Sequence, residues 1–294
     1  MGKRIETQQS LLQVNIPAQK INDSFFLKNI EFQIPPGYMA GIIGGNGAGK
    51  TSLLRLLLGA YYLESGNIWV EGYSMLNHAK EAKSKMGFVM DENPFPPSLS
   101  VQECGEVCGI FYENFSMKKY KEECGRFQLP LKRKIKKLSQ GMQIKFQLAF
   151  ALAADVKLLV MDEPTAGLDP VFRHEFMDIL CDFIEDGKHS VLLSTHLTGN
   201  LDRIADYLLY IENGKQQFFL EKEQLQEKYK IVTGTKNQLQ CIPQDRLIAK
   251  QITNNHSEAL IYAQGSPILI ALQEVPLTIE KLMYYLSQKG EEVV

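Results

Sequence analysis

Eight residues near the start of the chain, Gly44-Gly45-Asn46-Gly47-Ala48-Gly49-Lys50-Thr51, constrain its fold more than any other feature. They satisfy the pattern G-x-x-x-x-G-K-[ST] at every fixed position. Glycines at those points let the backbone curl until successive N–H groups point inward at an anion. Lys50 has the reach for the β- and γ-phosphates of a nucleotide, and the Thr51 hydroxyl suits Mg²⁺. The flanks supply the context that such a loop needs. Met39–Ile43 is a short apolar strand, and Ser52–Leu58 has helical spacing that ends at Gly59. A helix beginning at the loop aims its positive dipole end at the phosphates.

The rest of the first third reads as strands and tight turns. Leu27–Ile34 alternates apolar and polar residues like a half-buried strand, Pro35-Pro36-Gly37 is a turn, and Asn67–Val70 and Gly87–Met90 are further strands. From about Asp91 to Ala154 the character changes. Pro94, Pro96 and Pro97 mark a loop, followed by helical stretches over Val101–Phe115 and Met117–Phe127. This predicts a helical subdomain over about 91–154, inserted in an α/β domain. Leu158–Met161 and Val191–Ser194 are continuous apolar runs, as for parallel strands covered on both faces. The amphipathic helix Phe172–Asp186 between them completes a βαβ unit. Tyr207–Ile211 with Glu212-Asn213-Gly214-Lys215 reads as a strand and hairpin turn. Beyond Leu220 a glutamine- and lysine-rich stretch reads as helix through Lys230. Short strands and a last helix near Ile279–Lys289 follow. The predicted architecture is α/β: a P-loop NTPase with a parallel-sheet core, an antiparallel β subdomain, a helical subdomain and a small C-terminal α+β appendage. Residues 1–220 form the first domain and 221–294 the second.

Composition narrows the function classes. The 294 residues are 45% hydrophobic and 22% charged with a formal net charge of -2, so bulk electrostatics gives no reason to expect nucleic acid as a partner. The local basic run Lys132–Lys137 reads as a solvated linker face. The five cysteines include no CxxC pair and suit reduced thiols. Cys104 and Cys108, at i, i+4, share a helix face but have no second ligand pair nearby. The opening residues lack a signal-like apolar stretch, and no run approaches the ~20 apolar residues that span a bilayer. The expectation is a cytoplasmic protein.

A second chemical signal is Leu158-Leu159-Val160-Met161-Asp162-Glu163, an apolar strand ending in adjacent carboxylates. Charges at a buried strand end need a partner, and Mg²⁺ is one. Asp162 suits the metal and Glu163 a general base that polarises the attacking water. Leu138-Ser139-Gln140-Gly141-Met142 opens a helix upstream, where Ser139 and Gly141 make a phosphate-binding nest or Ser139 is a plain N-cap. His196 follows a parallel strand at the end where ligands bind, as a γ-phosphate sensor or as an ordinary polar residue. Asp169-Pro170 is an N-cap with a first-turn proline.

In order and spacing, the phosphate loop, LSQGM, LLVMDEP, AGLD and STH resemble ABC-transporter ATPases over roughly residues 10–220. The resemblance implies ATP and Mg²⁺ as cofactors and membrane-spanning subunits as partners. It also implies a head-to-tail homodimer, or a heterodimer with a second ATPase subunit. Each ATP would lie between one subunit's loop, Gly44 to Thr51 with Ser52, and the other's signature Ser139 and Gly141. It further implies a link between sites through Asp169, metal ligation by Thr51 and Asp162, and a place on the inner membrane face, held by the membrane subunits. Within the family, MDEN, LSQGMQIK, GLDPVFR and STH look like a Gram-positive subgroup. That subgroup is associated with GntR-type regulators and with export of, or resistance to, membrane-active peptides and antibiotics. Three segments depart from the pattern. LSQGM replaces LSGGQ. Asp91 stands where glutamine is usual, an added negative charge beside triphosphate that still suits a metal. Ile21 and Asn22 fall where the adenine-stacking aromatic belongs, leaving Phe25 as the nearest substitute.

Two other readings fit parts of this pattern. A soluble ABC ATPase acting on nucleic acid or ribosomes normally has two cassettes or a long coiled-coil insertion, and this chain has one cassette and no sustained heptads. A nucleotide-gated regulatory module with little turnover is opposed by intact Lys50, Asp162, Glu163 and His196. The expected activity is ATP hydrolysis that powers transport, with export the favoured direction.

Overall fold

The computed structural model describes residues 10–196, 198–253, 257–268 and 271–288. They form two compact units. One comprises the chain up to His196 with Leu209–Phe219, and the other Leu197–Leu208 with the chain from Leu220 onward. The segment just after His196 thus groups with the C-terminal unit, ahead of the boundary at 220 drawn from sequence.

The first unit is built on β1 (Leu12–Lys20), β2 (Phe26–Ile34), β3 (Met39–Ile43), β4 (Asn67–Val70), β5 (Tyr73–Ser74), β6 (Met86–Val89), β7 (Leu158–Asp162), β8 (Ser190–Ser194), β9 (Tyr207–Glu212) and β10 (Lys215–Glu221). They form one sheet in the order β5-β4-β1-β2-β10-β9-β3-β8-β7-β6. The β3-β8-β7-β6 portion is parallel and β5-β4-β1-β2 antiparallel, as the sequence predicts. Every residue of β3, β7 and β8 is buried, which is why these strands read as unbroken apolar runs. In β2 the alternation shifts phase: Leu27 and Ile30 both point inward. Asn29 between them has φ +52°, an irregularity that lets two inward residues stand three apart.

The helices of this unit are α1 (Lys50–Leu57), α2 (Ala79–Ser84), α3 (Val101–Cys108), α4 (Met117–Arg126), α5 (Gln140–Ala153) and α6 (Pro170–Ile184). Helices α3 to α5 lie between β6 and β7, where the helical subdomain is expected. The helix read over Val101–Phe115 is shorter than its spacing suggests. It ends at Cys108 and continues as a 3₁₀ turn, Gly109–Phe111. The Phe115 ring folds back onto Gly109, where any Cβ would come within 2.5 Å of it. Phe150 of α5 centres an aromatic cluster, with ring centroids 4.7 Å from Phe95, 4.9 Å from Phe115 and 5.7 Å from Tyr112. The basic run after α4 is partly anchored: Ile135 is buried, and the Lys134 ammonium lies 3.2 Å from Glu103, whose carboxylate completes a capping box with Ser100 at the start of α3. Cys104 and Cys108 lie on one face of α3 with sulfurs 3.7 Å apart. Burial pushes the Cys104 thiol well up, with Cys108 adding to it, so it packs as an inert small hydrophobe.

The C-terminal unit comprises α7 (Thr198–Ile204), α8 (Lys222–Lys228), α9 (Lys236–Gln240), α10 (Ile279–Ser287) and an antiparallel sheet. Its strands are β11 (Tyr229–Thr233), β12 (Leu247–Ile252), β13 (Ser257–Tyr262) and β14 (Gln273–Val275), in the order β12-β13-β11-β14. The stretch read as helix through Lys230 stops at Lys228, because Tyr229, Ile231 and Val232 turn into this sheet's core. Helix α10 is where the sequence places a last helix, although Lys289 lies outside the described residues. Glu258, buried on β13, is paired with the Lys281 ammonium of α10 at 2.9 Å. No helix among the described residues is long and apolar enough to cross a membrane.

Tyr120, fully buried on α4, donates its hydroxyl to the Val101 carbonyl at 2.7 Å and ties α4 to α3. Tyr120→Phe removes this interhelical hydrogen bond. It is expected to cost about 1 kcal/mol, read as a lower urea midpoint at unchanged slope.

Candidate functional site

The phosphate loop begins where β3 leaves the sheet. Gly44 has φ +154°, and a Cβ there would collide with the Ile211 carbonyl oxygen, so only glycine fits. Gly45, Asn46 and Gly47 form an exposed tip, whereas Ala48, Gly49 and Lys50 are buried. The tip is held by Ala48 N–H donating to Gly45 O at 3.2 Å and by Gly214 N–H donating to Ala48 O at 2.9 Å. Gly49 caps α1 with φ +110°, and a Cβ on it would meet the Phe25 ring at 3.0 Å. The aromatic chosen from sequence therefore lies directly against the phosphate loop.

Lys50 opens α1 two residues earlier than Ser52, where sequence spacing starts the helix. Its ammonium donates to the carbonyls of Gly44 at 2.8 Å and Gly45 at 3.1 Å. Burial lowers its pKa, and the nearby carboxylates of Glu163 and Asp162 oppose part of that shift. Ser52 follows, half-buried, and Thr51 beside it is exposed.

The two carboxylates part company at the end of β7. Asp162 is buried and accepts a short hydrogen bond from the Ser194 hydroxyl on β8. Glu163 turns the chain with φ +47°, and its N–H donates to Ser194 O at 3.0 Å. That turn presents the Glu163 side chain to His196. One oxygen, Oε2, accepts the His196 backbone N–H at 3.2 Å and lies 2.7 Å from its Nδ1. Both contacts fall on one oxygen of Glu163, and the His196 ring is largely exposed.

Thr51, Asp91, Asp162 and Glu163 line one cavity of about 840 Å³, which extends past Arg55 and Tyr61 towards Tyr112. Ser139, Gln140, Gly141 and Met142 do not line it. Ser139 caps α5, its hydroxyl accepting from Met142 N–H at 3.3 Å, so the plain N-cap reading holds as geometry. Leu138 before it is buried. Gly141 approaches the next loop so closely that a Cβ would sit 3.2 Å from Gly167 O. Asp169 caps α6 by accepting from Phe172 N–H at 2.9 Å, ahead of Pro170 at the first helical position. The bond from Phe172 N–H, more than any other factor, lowers its pKa.

Sequence reasoning missed two contributors. Ser194 reads as the end of an apolar strand, and only the pairing of β7 with β8 sets it against Asp162. Gln147 is buried within α5, its amide paired with the backbone of Met90. A lone glutamine among Phe146, Leu148, Ala149 and Phe150 was the available signal.

A strand ending in a glycine loop that caps a helix, with one strand between it and a strand ending in carboxylates, defines a P-loop nucleotide-binding ATPase. Comparison with known proteins sharpens the class. The family model described as ABC transporter matches residues 27–166, and a model for an AAA domain matches 131–202. The chain is 31% identical over 212 residues to a Nod factor export ATP-binding protein I of Cupriavidus metallidurans, covering 70% of each protein. It is 26% identical over 212 residues to the ABC transporter ATP-binding protein YtrB of Bacillus subtilis, covering 72% of each. Among solved structures, an ATP-binding subunit of an ABC transporter superposes with a TM-score of 0.67 at 22% identity, covering 74% of this chain and 92% of that one. A dimeric ATP-binding cassette in a post-hydrolysis state bound to ADP and Pi gives 0.63 at 24%, covering 71% and 98%. The chain belongs to the ABC-transporter ATP-binding family, and it is an ATPase of that family.

Ser194→Ala strips the buried Asp162 carboxylate of its hydroxyl donor. A loss of about 1–3 kcal/mol is expected, measured by chemical denaturation without nucleotide. Gly44→Ala, which must displace the Ile211 backbone, is expected to lose the thermal shift that ATP gives the parent chain.

Proposed function

We propose that this chain is the motor subunit of an exporter, and that two ATPase subunits hydrolyse Mg²⁺-ATP at shared sites beneath separate membrane subunits. The observation that carries the reading is the meeting of Glu163 with His196 at the end of β7, in the sheet whose β3 feeds the glycine loop and its buried Lys50. The resemblance to the family assigns Ser139 and Gly141 to the phosphate bound by a second subunit. Export as the direction draws on the names of relatives, which include several Nod factor export ATP-binding proteins.

The donor set suits Mg²⁺. This ion prefers oxygen ligands and is usually held by one or two carboxylates together with substrate phosphates. Thr51, Asp162 and Asp91 offer oxygens to one cavity. Among the described residues no group of three or more His, Cys, Asp or Glu forms a self-sufficient metal site. Bound there, the ion supplies charge neutralisation on the phosphates. The chain's own groups do the rest. Backbone N–H groups of Gly45 to Thr51 and the Lys50 ammonium cradle the phosphates, and Phe25 stacks the adenine. Glu163 takes the proton of the attacking water, and His196 holds Glu163 and meets the γ-phosphate. Asp169 links the two sites of the dimer.

Closure of the dimer moves the helices between Asp91 and Phe127, which pass the motion to the membrane subunits. Ile110 and Phe111, 76% and 73% exposed at the tip of this region, support a protein partner there. Residues 221–294 assist dimerisation or regulation, and the assembly sits at the inner membrane face.

The test is ATPase activity of the purified chain against its own concentration, alongside Glu163→Gln. Turnover should rise steeply with concentration and fall about 10²–10⁴-fold in the variant, with ATP still bound. Undiminished turnover in Glu163→Gln removes Glu163 as the base. Binding without turnover at any concentration rules out a self-sufficient homodimer and points to a second ATPase subunit or the membrane subunits.

A further inference from the structure

Two glutamines of α5, Gln140 and Gln147, stand seven residues apart and so lie on one face of the helix. Both reach the chain where it leaves β6. The buried Gln147 amide makes a paired contact with Met90, accepting its N–H at 2.9 Å and donating to its carbonyl at 2.9 Å. At the next residue, Gln140 Nε2 donates to Asp91 Oδ1 at 3.0 Å. The Gln140 carboxamide also covers the loop before α6: a Cβ on Gly167 would come within 2.7 Å of its Oε1. The same stretch is held from other sides. Arg55 of α1 lies 2.9 Å from Glu92, and the Phe95 ring sits 5.0 Å from Phe146 and 4.7 Å from Phe150.

We propose that Gln140 and Gln147 are positioning residues that fix Asp91 relative to the signature turn, so that signature and nucleotide cavity act as one mechanical unit. The inference rests on the reading above that Asp91 faces bound Mg²⁺-ATP. The two contacts divide the work by burial. Gln147 satisfies both backbone polar groups of one buried residue, Met90, where an unmade bond is costly, and acts as the fixed anchor. Gln140 and Asp91 are both exposed, so their bond is weak in water and can be made and released within a cycle. Two departures from the family pattern, glutamine in the signature and aspartate at position 91, are thus partners. A glycine at 140 has no side chain to donate. The amide of Gln140 also offsets the extra negative charge that Asp91 brings beside triphosphate.

The test reads metal dependence instead of turnover. Binding of a fluorescent ATP analogue is titrated with Mg²⁺ for the parent chain, Asp91→Ala, Asp91→Asn, Gln140→Ala, and Gln140→Ala on each Asp91 background. The Mg²⁺ concentration for half-maximal binding should rise about 3–10-fold in Gln140→Ala and in Asp91→Ala. It should rise no further when the two are combined. On Asp91→Asn, which keeps the accepting oxygen, Gln140→Ala should still be felt. Binding without Mg²⁺ should not change. Independent, multiplying effects, or a silent Gln140→Ala, overturn the coupling and leave Asp91 as a metal ligand. A silent Asp91→Ala overturns both the coupling and the placement of Asp91 at the metal. Gln147→Ala should speed exchange of the Met90 amide hydrogen at least tenfold. Unchanged exchange removes Gln147 as the anchor.

Discussion

The register of two buried strands sets the arrangement of the candidate site. In β7 and β8 Asp162 pairs directly with Ser194. From that single alignment follow the hydroxyl on the buried Asp162, the Glu163 N–H on the Ser194 carbonyl, and the meeting of Glu163 with His196 two residues beyond β8. A slip of one residue would send every side chain of β8 to the opposite face and undo all three. Close packing of the buried side chains on both faces makes such a slip costly. Precision at the polar end of the strands is thus held by the dry packing along their length.

The phosphate loop depends on the same core from the other side. β3 runs beside β8, with Ile42 against Ser194, so the loop starts level with the carboxylates. Gly44 then passes the Ile211 carbonyl too closely for any side chain, and Gly49 turns the chain into α1 against Phe25 and Leu27. Glycine serves here for close approach as well as for φ. This is also why the lysine is buried: the loop that must cradle an anion first wraps its own cation, and burial pulls the Lys50 pKa down.

Much of this was legible in the chain before folding. The octapeptide, the strand ending in two carboxylates, and the unbroken apolar runs at β3, β7 and β8 each have a local physical cause. Other features were not. The break of α3 at Cys108 comes from the Phe115 ring folding onto Gly109, a contact that periodicity does not register. The start of β11 at Tyr229, inside a stretch that reads as helix, follows from burial of Tyr229 and Ile231 in a sheet whose other strands come later in the chain. Asn29 with positive φ hides a change of phase in what looks like simple alternation.

Sequence by itself determined that this protein is a nucleotide-binding ATPase on an α/β sheet, with a glycine loop and a strand that ends in adjacent carboxylates. Those properties rest on local patterns: glycine spacing, an apolar run ending in charge, and a capped helix start. Tertiary structure alone decided which groups act together. Ser194 on Asp162, Gln147 on Met90 and Gln140 on Asp91 join residues 32, 57 and 49 positions apart. No local pattern encodes such pairs, because each exists only where packing has already brought two distant backbones within reach of one side chain.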